Sequence, residues 1–135
     1  MEGKTVKQTI GNRGEELAAK ELKKMGFKVI ERNYRASRYE IDLIACDKEC
    51  LIFVEVKARS CTDPENMAYG RPARAVTQSK RTFLINAARS YLKQNPKYEG
   101  LRVRFDVIEI FFDNNVDVGS KKVLKTNYIR NAFGA

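Results

Sequence analysis

The sequence predicts an α/β domain: a mixed sheet with helices packed on it, in the order α-β-β-β-α-β followed by a tail. Three observations predict it. Apolar residues recur at helical spacing in two segments that bracket three strand-like runs. A fourth strand-like run follows the second helical segment. The 135 residues, 43% hydrophobic and 32% charged, suit one ordinary domain around a single core.

The first helix is read from Ile10, Gly14, Leu17, Ala18, Leu22 and Met25, with Gly26 where a C-terminal cap belongs. Asn12 and Glu15 fit a capping box, which starts the helix near residue 12 and leaves residues 1–9 as a loose polar lead. Strands are predicted over 28–35, 39–46 and 51–57. The stretch 59–75 is polar, holds Pro64, Gly70 and Pro72, and reads as a long loop. A second helix presents Val76, Phe83, Leu84, Ala87, Ala88, Tyr91 and Leu92 on one face and ends before Asn95-Pro96. A strand follows over 102–112, and the tail over 122–133 is expected to add a short strand and a helical turn. There is no repeat, low-complexity segment or second-domain linker.

Composition narrows the chemistry. Lys and Arg number 26 against 17 Asp and Glu, a net charge of +9 that attracts polyanions. No histidine occurs, which excludes Ser-His-Asp and Cys-His catalysis and any histidine general base. The three cysteines, Cys46, Cys50 and Cys61, form no CxxC, so reduced thiols are expected rather than a disulfide framework or a zinc site. Apolar runs such as Leu51 to Val54 are far too short to span a membrane, so no membrane partner and a cytoplasmic location are expected.

The second and third strands read as a hairpin turning at Lys48 and Glu49. Ile41 then faces Val56, Leu43 faces Val54 and Ala45 faces Ile52, an apolar face that a one-residue slip would destroy. On the other face Asp42 falls opposite Glu55 and Glu40 opposite Lys57, with Cβ atoms about 5 Å apart. Opposed carboxylates repel, the more so when half-buried, and a divalent cation resolves the conflict. Mg²⁺ takes oxygen ligands, commonly one or two carboxylates plus a phosphate, and activates water on a phosphodiester. Lys57, on the same side as Glu55, suits charge stabilisation at the phosphate. The competing reading is a solvated strand face, with Lys57 paired to Glu40 and Asp42 paired to an arginine.

These residues resemble a known family. Gly11-x-x-Gly14-Glu15, Glu40-Ile41-Asp42-Leu43-Ile44 and Phe53-Val54-Glu55-Val56-Lys57-x-Arg59 are similar to strings of the YraN-like family of endonuclease-like proteins. So are Ala75-Val76-Thr77 with Lys80, Arg104-Phe105-Asp106-Val107 and Asn131-Ala132-Phe133, and the match runs in order along nearly the whole chain. That family resembles archaeal Holliday-junction resolvases within the PD-(D/E)XK nucleases. The resemblance implies a restriction-endonuclease-like αβββαβ core and a Mg²⁺- or Mn²⁺-dependent endonuclease. It implies Asp42 and Glu55 as metal ligands, Lys57 as catalytic lysine and Glu15 as an extra acid, beside its capping-box reading. The family usually has Gly where this chain has Tyr39.

A DNA-contacting surface is expected from Arg38, Tyr39, Arg59, Arg71, Arg74, Lys80 and Arg81, with Arg35, Tyr34 and Tyr69 beside them. Gln78 is a weaker candidate, and Arg104 with Asp106 reads as an internal ion pair. The alternative function is a nucleic-acid-binding module that keeps the fold without cutting, or an interaction protein whose acidic square is structural. A homodimer is a further expectation, through a strand edge or the apolar tail near Ile129 and Phe133.

Overall fold

The structure is a computed structural model and describes residues 6–36, 39–61, 76–113 and 123–133. Helix α1 (Val6–Lys24) is followed by strands β1 (Lys28–Ala36), β2 (Tyr39–Cys46) and β3 (Cys50–Cys61). Helix α2 (Gln78–Gln94), a short 3-10 turn at Pro96–Tyr98, and strands β4 (Arg102–Asp113) and β5 (Val123–Phe133) complete it. The five strands lie in the order β1-β2-β3-β4-β5; only β3 and β4 run parallel, joined by α2. The αβββαβ order and the mixed sheet flanked by helices are as the sequence predicts, and are consistent with a restriction-endonuclease-like core.

One face of the sheet packs Leu43, Ala45, Ile52, Val54, Ile108, Ile110 and Phe112 against Ala18, Ala19 and Leu22 of α1. The other packs Ile44, Leu51, Phe53, Phe105 and Val107 against Leu84, Ala87, Ala88 and Tyr91 of α2. Strands β3 and β4 are covered on both faces, which is why they read as nearly continuous apolar runs. Gly14 lets α1 lie close: a Cβ there would meet the Ala58 Cβ of β3 at 2.9 Å.

Several expectations are corrected. Helix α1 begins at Val6, so part of the expected loose lead is helical and Asn12 and Glu15 lie inside the helix, not in a capping box. Met25 is exposed, and Phe27 fills the core instead once Gly26, at φ +94°, turns the chain. The N–H groups of Gly26 and Phe27 close that turn on the Lys23 and Leu22 carbonyls. The tail forms no helical turn; β5 pairs antiparallel with β4 along most of its length. Its Phe133 is buried and stacks on Phe105 at 4.9 Å, so that residue belongs to the core and not to an exposed dimer face. Arg104 and Asp106 do form an internal pair (2.8 Å), and the Asp106 carboxylate also accepts from the Tyr128 hydroxyl and the Asn131 backbone N–H.

Candidate functional site

The predicted hairpin register holds near its turn. Leu43 pairs with Val54, Ile44 with Phe53, Ala45 with Ile52 and Cys46 with Leu51. The Asp47 carboxylate caps the turn by accepting from the Glu49 and Cys50 N–H groups, each at 2.8 Å. Toward the site the ladder stops at Leu43 and Val54, and the expected facing pairs at Ile41, Asp42 and Glu40 are not made. The cause lies partly on β1. Asn33, level with Asp42 between the pairs Arg32–Leu43 and Tyr34–Ile41, has φ +50°, a left-handed conformation that asparagine tolerates better than most residues. Alternation breaks there. Ile41 joins the cluster under α2 while Leu43 joins the one under α1, so the apolar face is not uniform as expected.

That break builds the site. The Val56 N–H, which an unbroken ladder would send to the β2 backbone, donates instead to Asp42 Oδ2 at 2.8 Å. Glu55 and Lys57 alternate with Val54, Val56 and Ala58, which pack under α1, and so lie on the α2 face. Glu55 is 4% exposed. Its Oε2 receives the Lys57 ammonium at 3.1 Å and the Lys80 ammonium at 2.7 Å. Its Oε1 is buried with no hydrogen-bond partner. Lys80 reaches across from the first turn of α2, where the Thr77 hydroxyl accepts the Lys80 backbone N–H and fixes the helix start.

Electrostatics mark the cluster as acid-rich. Burial, then the Glu55 charge, push the Asp42 carboxyl up to about 7; Glu15 adds to the rise, while the Val56 N–H and Lys80 oppose it. Burial also raises the Glu15 carboxyl, with Glu40 and Glu55 adding to it and a hydrogen bond to Asn33 opposing it. Glu15 therefore couples electrostatically to Asp42 and Glu55.

The expected acidic square is not what forms. Glu40 turns to Arg35, at 3.7 Å, and Lys57 takes Glu55 instead. Arg59 Nε donates at 2.9 Å to Oε2 of Glu109, a 1% exposed carboxylate beside Lys57 in the β3–β4 register. Glu109 was missed from sequence, although an acid within Val107-Ile108-Glu109-Ile110-Phe111 interrupts a strand apolar on both faces. Its Oε1 is also buried without a partner. Tyr39 is exposed, with its ring 4.3 Å from that of Phe83. Arg81 donates to the Val76 carbonyl and lies over the Phe133 ring. Tyr34 donates to Gln94 and meets Tyr91 edge-on, within the packing of β1 on α2. Gln78 is exposed. Arg38, Tyr69, Arg71 and Arg74 lie outside the described residues.

Among the described residues, no three Asp, Glu, His or Cys side chains are grouped so as to hold a metal on their own. The donor set suits a different mode. Asp42 and Glu55 supply hard carboxylate oxygens; Glu55 Oε1 is buried and unpartnered, and burial and the Glu55 charge penalise ionisation of Asp42, a conflict that a cation would relieve. Mg²⁺ or Mn²⁺ is commonly held by two such groups, with water and phosphate oxygens completing the shell.

Comparison with known proteins places the chain in a family. The family described as "Uncharacterised protein family UPF0102" matches residues 14–110, a span that holds every site residue from Glu15 to Glu109. A UPF0102 protein of Caldicellulosiruptor saccharolyticus is 39% identical over 127 residues, covering 94% of this chain and 98% of the relative. One of Clostridium perfringens is 39% identical over 130 residues, covering 96% and 98%. One of Chloroherpeton thalassium is 44% identical over 105 residues, covering 78% and 77%. The chain belongs to the UPF0102 family, which is the YraN-like family its sequence resembles.

Proposed function

We propose that this protein is a metal-dependent endonuclease that hydrolyses phosphodiester bonds in DNA, acting on branched or otherwise structured DNA. The observation that carries the reading is Glu55: a buried carboxylate with two ammonium groups on one oxygen, none on the other, and Asp42 as its acidic neighbour. A fold gains little from burying such a group, because desolvation offsets much of the ion-pair attraction. A site that must gather positive charge around a phosphate has a use for it.

Asp42 and Glu55 would hold Mg²⁺ or Mn²⁺, with Glu15 as a further acid nearby. The cation, when bound, supplies Lewis acidity toward phosphate oxygens and a more acidic water. Lys57, resting on Glu55, sits where its charge stabilises a phosphate as negative charge builds. Arg59, anchored by buried Glu109, continues the basic line along β3 and suits the neighbouring backbone phosphate. The exposed Tyr39 ring, backed by Phe83, offers a stacking surface for an unpaired base, which favours junctions and flaps over plain duplex.

A second reading, a nucleic-acid-binding module that does not cut, draws on the two ammonium groups that offset the Glu55 charge at Oε2 without a metal. A cleavage assay separates the two. Labelled duplex, single strand, flap and four-way junction are incubated with Mg²⁺ or Mn²⁺, beside the Lys57→Ala protein. Cutting that needs metal and is lost in the variant is the expected result. Salt-sensitive binding without cutting by the wild type would replace the nuclease with the binding module.

A further inference from the structure

Lys80 stands out because its place is unlike that of a backbone-tracking lysine. Its ammonium is turned toward the sheet, 2.7 Å from Glu55 Oε2. Lys57 already contacts that oxygen from β3. One oxygen of a carboxylate whose residue is 4% exposed thus carries cations from two separate elements, and the first turn of α2 is tied by Thr77 so that Lys80 arrives there. Lys80 and Lys57 are each 28% exposed, so either head group has room to swing outward.

We propose that Lys80 is a resident counter-cation of the Asp42–Glu55 site: it occupies Glu55 in the metal-free protein, yields that position when a divalent cation binds, and then serves the phosphodiester. The inference rests on the metal-dependent reading of the site. One feature singles out Lys80 over Lys57: it comes from the helix facing the sheet and can withdraw without disturbing β3. Lys80 forms no bond and transfers no proton in this role; it contributes charge, first to Glu55 and then to the phosphate.

The consequence is a pair of effects with opposite signs, which a merely structural lysine would not give. Lys80→Met removes the competitor, so Mn²⁺ should bind tighter than to wild type, by about tenfold or more. Single-turnover cleavage at saturating Mn²⁺ and saturating DNA should slow by about a hundredfold. Lys80→Arg, which keeps the charge, should hold Mn²⁺ affinity near wild type and so guards against reading a folding defect as an effect of charge. Mn²⁺ affinity is measured on DNA-free protein from the electron paramagnetic resonance signal of the free ion, with Asp42→Asn as the variant expected to lose binding. Unchanged or weaker Mn²⁺ binding by Lys80→Met, with Asp42→Asn abolishing it, would overturn the role of Lys80 and leave the metal site standing. Tighter binding with undiminished cleavage would overturn it as well. Failure of all the proteins to bind Mn²⁺ would instead bring down the metal-dependent reading, and this inference with it.

Discussion

The Asp42 carboxyl, raised to about 7 first by burial and then by Glu55, ties the site to stability. In the unfolded chain it titrates near 4. Between roughly pH 4 and 7 the folded, metal-free protein therefore holds a proton that the unfolded chain has released, and stability falls as pH rises. The contribution is complete below the unfolded value and lost as pH climbs through about 7. Glu15, also raised, acts in the same direction. Urea midpoints measured in EDTA should thus decline from pH 4 to 8 in the wild type and decline less in Asp42→Asn, while Mg²⁺ should restore the wild type near neutral pH. Equal slopes for the two proteins would mean that Asp42 is solvated and not opposed to Glu55. That Glu55 and Lys57 share a face was legible from the two-residue period of their strand, and the hairpin turn from local pattern, whereas the expected facing of Asp42 and Glu55 is not made. The coupling of Glu15 to Asp42 was obscured by a local pattern of equal quality, the capping box, which a longer helix overrode. The inward turn of Lys80 had no local signal, since it depends on how the first turn of α2 docks on β3.

Two elements set the site by what they lack. Strand β2 gives up its pairing with β3 past Leu43, and the freed Val56 N–H goes to Asp42. The turn end of this hairpin could be read from alternation, but its break could not. The break lies level with a left-handed residue, Asn33, on the neighbouring strand, and an asparagine alone does not announce a positive φ. Helix α1 gives up a side chain at Gly14, which lets its backbone approach Ala58, and the next residue, Glu15, interacts with Asn33, Glu40 and Glu55. Gly14→Val should force α1 outward, because the obstacle is the short, rigid Ala58 side chain. Overpacking of this kind costs about 1–3 kcal/mol, and thermal unfolding should show a melting temperature lower by several degrees. Metal affinity should fall too, as Glu15 retreats with the helix. A variant as stable as wild type would show that α1 has slack and that Gly14 is not what seats Glu15.

At the scale of the whole molecule, the order of elements was legible because each strand and helix carries its own period, and the order implies the mixed sheet. The tail was not: Asn131, at φ +53°, and a register shift against β4 disturb alternation in a strand whose outer face is partly exposed, so β5 read as a strand and a turn. No helix among the described residues is long and apolar enough to cross a membrane. The net charge of +9 gives no address by itself, but its local placement does. On the face that carries Asp42 and Glu55, Lys57, Lys80 and Arg59 hold cations against buried acids, and Arg35 lies nearby on β1. If this face binds the DNA backbone, association releases counterions, and the logarithm of the affinity falls linearly with the logarithm of salt, by about 0.9 per phosphate neutralised. Arg59→Ala should then weaken binding across unrelated sequences and reduce the salt slope by about one, the signature of a lost phosphate contact. Fluorescence anisotropy of a labelled junction in EDTA, titrated from low to physiological salt, reads both without requiring cleavage. A slope unchanged by the substitution would move the DNA track off β3. A wild-type affinity indifferent to salt would remove nucleic acid as the partner, because a chain with nine excess positive charges cannot hold a polyanion through this face and escape screening.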